Sequence, residues 1–356
     1  MLLNIIYLLA GFIILVYGAN LLVDGGAALA HRLKVPNIVI GLTVVAFGTS
    51  TPELVVNIIS SIEGSSALAL GNVLGSNIFN IMAILGVTAL FVPIGIKRST
   101  TWIEIPLAVL AAVLILILAN GEPAGIITRA EGFCLLCFFA VFIAYTLFIA
   151  KRGGQETEEV NIKPYSLKKS VLFILLGLAG LVGGGRLLVD GAVSLAQMAG
   201  ISERIIGLTI ISIGTSLPEL ATSLIAARKK NADIAIGNVV GSNIFNTFLI
   251  LGASAGISPL KVTTDSVTDL WVNIGVSVLL FIFVFTGKGR QINRWEGALF
   301  LTLYITYLTL LIIKDRHVFL YRYENPYRIS PIHDRSVSVL LTSSPKPGRY
   351  SHRSQQ

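Results

Sequence analysis

Apolar residues along this chain run in long blocks, without the strand-like alternation or the one-sided helical stripe of a soluble protein. Ten blocks, at 3–30, 37–60, 67–94, 102–119, 130–150, 168–198, 204–227, 233–258, 270–287 and 295–313, reach the length of about 18 residues or more that a bilayer-crossing helix needs. The pattern predicts an all-α polytopic membrane protein of ten transmembrane helices. The opening block, "MLLNIIYLLAGFIILVYGANLLV", lacks a basic start and is too long for a signal peptide, so it is expected to be a retained span. Two stretches are polar: "KRGGQETEEVNIKPYSLKK" at 151–169, and everything beyond Lys314.

Composition agrees. Only 13% of the 356 residues are charged and the mean hydropathy is +0.80, against about 25% charged in soluble domains. The net charge of +8 follows the loops and gives no nucleic-acid signal. With the N-terminus outside, the inner loops hold fifteen Lys and Arg and the outer loops three, which favours that orientation. The tail would then also lie outside with eight more basic residues; long polar tails follow the charge rule less strictly. It is rich in Pro and Ser and is expected to be disordered. Cys134 and Cys137 sit mid-span with no His or further Cys nearby, so they read as small apolar side chains, with no metal, disulfide or cofactor implied.

The chain also matches itself at an offset of 166 residues. "IGLTVVAFGTSTPEL" from Ile40 returns as "IGLTIISIGTSLPEL" from Ile206, and "GNVLGSNIFN" from Gly71 returns as "GNVVGSNIFN" from Gly237. Across Ile40–Gly86 and Ile206–Gly252, 24 of 47 positions are identical without a gap. Each copy holds five blocks, an odd number, so the second must enter the membrane from the opposite side. The expected organisation is a five-helix repeat at 1–150, a cytoplasmic linker at 151–166, an inverted five-helix repeat at 167–316, and a tail at 317–356. Inverted repeats with interrupted spans point to a secondary transporter with a site near the midplane.

The interruption falls in the second and seventh spans. Ser50-x-x-Glu53 and Ser216-x-x-Glu219, with Pro52 and Pro218 in the first turn, fit a capping box that restarts a broken helix. An acid near the membrane centre costs about 2.5–3.5 kcal/mol on insertion scales and marks function by default; here there are two. Carbonyls that end the first half-helix, around Ala46 to Thr49 and Ser212 to Thr215, turn partial negative charge toward the gap. Two carboxylates and the carbonyls of Thr49 and Thr215 make six oxygens, the low end of the coordination Ca²⁺ takes. In the second motif Asn72, Ser76 and Asn80 share a helix face, as do Asn238, Ser242 and Asn246. Ser76, Asn80, Ser242 and Asn246 offer neutral oxygens suited to monovalent ions, while Gly71-x-x-x-Gly75 and Gly237-x-x-x-Gly241 suit close helix packing. Asn77 and Asn243 fall off that face and read as structural. Asp24 and Asp190 read as interfacial charges. Arg186, opposite Asn20 in the first copy, breaks the repeat.

The doubled "GTSxPE" and "GNVxGSNIFN" motifs resemble the alpha-repeats of the cation/calcium antiporter superfamily, in particular its microbial sodium/calcium exchanger-like branch, over residues 1 to about 313. The resemblance implies ten helices in two inverted halves and exchange of calcium for sodium by alternating access. By motif position it implies Ca²⁺ ligation by Glu53, Glu219 and the Thr49 and Thr215 carbonyls. It further implies sodium sites at Ser50, Ser76, Ser216 and Ser242 with carbonyls near Ala46 and Ser212, and Asn80 and Asn246 bordering the centre. Some members carry Asp where this chain has Asn246; asparagine there argues against potassium dependence. The implied partners are membrane lipid and the transported Ca²⁺ and Na⁺, without a cofactor or an enzymatic activity, in a prokaryotic plasma (inner) membrane. A calcium/proton antiporter on the same scaffold is the alternative. The repeated serines beside the acids favour sodium, since protons need no hydroxyl ligands. An intramembrane hydrolase lacks its motifs within the spans, and no histidine lies within a span to relay protons.

Overall fold

The structure is a computed structural model, and it describes residues 2–122, 124–152, 165–199, 212–286 and 289–324. The chain divides into two units, Met1–Leu308 and Thr309–Gln356. Helices dominate: α1 (Leu2–Leu33), α2 (Asn37–Thr49), α3 (Thr51–Ile62), α4 (Ser66–Phe91), α5 (Thr100–Ala119), α6 (Arg129–Arg152), α7 (Leu167–Met198), α8 (Leu217–Arg228), α9 (Ala232–Ile257), α10 (Thr264–Phe283) and α11 (Arg294–Glu324). Eight are long and apolar enough to cross a membrane, and the bent pair α2–α3 makes a ninth candidate. Of the block at 204–227, residues up to 211 lie outside the described set, as do 153–164 of the expected linker and 325–356 of the expected tail.

Burial sorts the helices. In α4 and α9, 83% and 94% of the most apolar stretch is buried inside the protein, against 17% in α6 and in α11. The first two form the centre and the others turn Leu, Ile and Phe side chains outward. In a bilayer, apolar burial between helices gains little over contact with lipid tails, so close packing and hydrogen bonds must hold the helices together. The α1–α7 pair shows the packing. Gly11, Gly18 and Gly25 of α1 recur every seventh residue, as do Gly177, Gly184 and Gly191 of α7. A Cβ on Gly18 would lie 2.7 Å from the Leu181 backbone nitrogen, and one on Gly184 would lie 2.6 Å from that of Leu15. The two helices therefore run antiparallel with their backbones touching, and each glycine seats against the partner's main chain. The G-x-x-x-G of α9 acts similarly, since Cβ atoms on Gly237 and Gly241 would meet Gly41 and Ala46 at 3.1 and 2.8 Å. Gly71 and Gly75 have no such neighbour within 4 Å among the described residues.

Two short ribbons tie the chain across the repeat. Ile94–Gly95 (β1) pairs antiparallel with Gln291–Ile292 (β4), and Ile126–Ile127 (β2) pairs with Leu260–Lys261 (β3). The strands β1 and β2 flank α5, so the ribbons sit at its opposite ends. Helix starts are capped from the side chain. Asn231 accepts from the Ile234 N–H, Ser166 from that of Lys169 and Thr263 from that of Ser266. At α6, Thr128 and Glu131 close a reciprocal box.

A valine at Gly184 must push the α1 backbone away, an overpacking cost of about 1–3 kcal/mol. Gly183, where a Cβ would meet nothing within 4 Å among the described residues, is its control. Thermal unfolding of the detergent-solubilised protein is expected to show a lower midpoint for Gly184→Val and an unchanged one for Gly183→Val.

Candidate cation site

The break between α2 and α3 falls at Ser50, where the two segments meet at 48°. Its cause is chemical: Pro52 has no N–H to give the Gly48 carbonyl, and Pro218 has none for Gly214. The expected capping box does not form at either copy. The hydroxyls of Ser50 and Ser216 make no cap bond. One N–H they would have bonded belongs to a proline, and the backbone N–H that the glutamate would have returned to is already given to Ala46 (2.9 Å) or Ile213 (3.1 Å). Each serine instead crosses to the other copy. Ser50 Oγ donates to Glu219 Oε1 at 3.0 Å, and Ser216 Oγ donates to Glu53 Oε1 at 3.1 Å.

The same crossing brings most of the expected residues together. Ser242 Oγ lies 3.5 Å from Glu219 Oε1, and Ser216 Oγ lies 3.3 Å from Ser76 Oγ. Thr49 donates its hydroxyl to Asn238 Oδ1 at 3.0 Å, whereas the Thr215 hydroxyl has no hydrogen-bond partner among the described residues. Asn72 and Asn238 brace the acid-bearing helices: their amides reach the main-chain carbonyls of Glu53 (3.4 Å) and Glu219 (3.2 Å). They also bond Asn57 and Ser223 of those helices, two side chains that sequence reasoning had passed over.

Asn80 opens a π-helical turn in α4 and Asn246 is the second residue of one in α9, a local widening common at functional sites. Their amides point at the opposite helix. Asn80 Nδ2 donates to Asn243 Oδ1 at 2.9 Å, and Asn246 Nδ2 donates to Asn77 Oδ1 at 3.0 Å. Asn77 and Asn243, read as structural from the sequence, accept these bonds and fix which way the two outer amides face. The doubled Asn-Ile-Phe-Asn spacing carried that signal.

Besides the Thr215 hydroxyl, four buried oxygens of the site lack a hydrogen-bond partner among the described residues, in two repeat-related pairs: Oε2 of Glu53 and Glu219, and Oδ1 of Asn80 and Asn246. Both glutamates are only 1% exposed, and the ion pairs among the described residues lie elsewhere, at Lys97–Asp233, Arg186–Asp190 and Lys229–Asp24. A buried acceptor left unpaired is costly, and a buried carboxylate without a countercharge more so. A donor set of carboxylate, amide and hydroxyl oxygen, without nitrogen or sulfur, suits a hard cation. No cluster of three or more His, Cys, Asp or Glu occurs among the described residues, so the candidate is a two-acid centre completed by neutral oxygens.

The sequence profile of the sodium/calcium exchanger protein family matches residues 3–148 and 169–313. The chain belongs to this family. Sodium/calcium exchanger MaX1 of Methanosarcina acetivorans is 33% identical over 346 residues, covering 86% of this chain and 98% of that protein. Inner membrane protein YrbG of Escherichia coli is 35% identical over 321 residues, covering 87% and 97%. Among solved structures, the sodium–calcium exchanger NCX_Mj, soaked with 10 mM Na⁺ and no Ca²⁺, superposes with a TM-score of 0.74 at 34% identity, covering 86% of this chain and 98% of its own. The protein is thus an integral membrane transporter of the exchanger class and not an enzyme.

If Asn243 orients Asn80, then removing its acceptor should weaken cation binding without touching a ligand. Asn243→Leu is expected to lower Ca²⁺ affinity by about tenfold, the scale of losses behind a ligand, read by titration calorimetry on purified protein.

Proposed function

We propose that the chain exchanges Ca²⁺ for Na⁺ across a prokaryotic inner membrane by alternating access. It would do so through ten spans in two inverted halves with the N-terminus outside. The observation that carries this reading is the set of four unpaired, buried oxygens on Glu53, Glu219, Asn80 and Asn246. Two carboxylates balance one Ca²⁺ or two Na⁺, so either cargo neutralises the centre. Ca²⁺ would draw on both glutamates and the carbonyls of Thr49 and Thr215. Na⁺ would draw on the same acids with the hydroxyls of Ser50, Ser76, Ser216 and Ser242. Those hydroxyls sit within 3.5 Å of a glutamate oxygen or of each other, so one cargo's ligands overlap the other's and the two compete. Competition for one centre is what turns a carrier into an exchanger.

The inverted arrangement is supported by three features. The α1 and α7 glycines interlock antiparallel. The Ser–Glu bonds are reciprocal, and the Asn80–Asn243 bond is mirrored by Asn246–Asn77. The reciprocal bonds are what a two-fold axis relating two copies of one sequence produces, and the antiparallel run of α1 and α7 supports an axis across the helices, in the membrane plane.

The test is radioactive Ca²⁺ uptake into proteoliposomes under an outward Na⁺ gradient or an outward H⁺ gradient. Uptake is expected with Na⁺ and is expected to fall to the level of empty vesicles in Glu53→Gln. Uptake driven by H⁺ alone would place the chain in the proton-coupled alternative. Uptake that ignores both gradients, or that survives Glu53→Gln, would overturn the proposed centre.

A further inference from the structure

Arg186 plays no part in the candidate site, yet it sits within α7 with its side chain 84% exposed, and its one ion-pair contact among the described residues is with Asp190 at a loose 3.9 Å. Its meaning emerges from the repeat. On α1 the equivalent positions are Asn20 and Asp24, and there the arrangement is closed. Lys229, at the end of α8, donates to Asp24 Oδ1 at 2.7 Å and to the Asn20 carbonyl at 3.1 Å. The lysine therefore clasps two successive turns of α1 and fixes that helix to α8. Around it Leu22, Val23, Ile225, Ala226 and Ala227 belong to one apolar cluster.

Shifted by the repeat length of 166, Lys229 corresponds to Glu63, at the end of α3. The contact between α1 and α8 corresponds to one between α7 and α3. In this structure α1 packs along α8, whereas α7 and α3 make no comparable contact among the described residues. One of two related interfaces is closed and the other is open. At the open one the lysine's counterpart is the acid Glu63, Asp24's counterpart is again an acid, Asp190, and the neutral Asn20, one turn earlier, is replaced by the cation Arg186. Glu63 has no ion pair among the described residues and is exposed.

We propose that Lys229–Asp24 and Arg186–Glu63 are two latches of opposite polarity, each closing one face of the carrier. The first is shut in this structure. When α1 and α7 move together to expose the other face, α7 approaches α3, and Arg186 reaches Glu63 as Lys229 leaves Asp24. The shared glycine contact makes α1 and α7 a single moving body, so closing one latch opens the other. All four are positioning residues, because none touches the candidate ion ligands. The idea rests on the alternating access proposed above.

The experiment places spin labels at Arg32→Cys on α1 and Lys230→Cys beyond α8, in a background carrying Cys134→Ser and Cys137→Ser, and reads their distance distribution in nanodiscs. Na⁺-driven Ca²⁺ uptake is measured on the same variants in vesicles. Lys229→Glu is expected to enlarge the long-distance population, and Glu63→Lys, which sets two cations face to face, to deplete it. Each population ratio should move by about twofold to fivefold, the range of a partly exposed ion pair. The exchanged pair Glu63→Arg with Arg186→Glu is expected to restore both the distribution and the uptake rate. A Glu63→Lys variant that matches wild type in distance and rate, or an exchanged pair that fails to restore a defective one, would overturn the Arg186–Glu63 latch. Wild-type vesicles that move no Ca²⁺ against Na⁺ would overturn the antiport reading instead, and the distance distributions would still decide whether the latches exist.

Discussion

Glu53 and Glu219 are buried with one oxygen each tied to a serine of the opposite repeat and the other tied to nothing. A carboxylate in that position must be neutralised, and no lysine or arginine among the described ion pairs reaches either one. The neighbouring structure can be read as the means of leaving that demand open. Prolines break the helices so that the acids sit on first turns. The serines are kept from capping so that they can face the acids. The inner asparagines hold the outer ones so that amide oxygens, and not amide nitrogens, remain free. A lysine placed within reach would have satisfied the acids permanently and left no site for a mobile cation.

Much of this was legible before any coordinates. The acids, the prolines and the doubled motifs stood out because polar residues that recur in register within apolar blocks have few reasons to be there. The span boundaries were legible because hydropathy sets them, and the observed helices from α4 to α7 begin and end within a few residues of the expected blocks. What the sequence did not reveal was direction. The Ser50 hydroxyl has the spacing of a cap, and only the opposing repeat, 169 residues away along the chain, explains why it turns elsewhere. Heptad glycines were present in the first and sixth blocks from the start. They were hard to see as a contact because glycine is common in apolar helices, and only the pairing of two helices gives the spacing its meaning.

The repeat is also informative where it fails. Lys229 against Glu63, and Asn20 against Arg186, are departures in a duplicated framework, and they fall away from the centre. The centre keeps the same residue types in both copies. Positions away from it need no such equality, since the two faces of a membrane present different solutions and different potentials.

The ribbons carry a consequence for assembly. Strand β1 closes on β4 and β2 on β3, so each hydrogen-bonded edge made by the first half waits for residues 260–261 or 291–292. A nascent first half has two strand edges without partners, and it completes itself only when most of the chain has been synthesised. A half-length progenitor carrying the same pattern would have met its partners in a second copy of itself. Gene fusion would then have turned an encounter between two molecules into a fold within one.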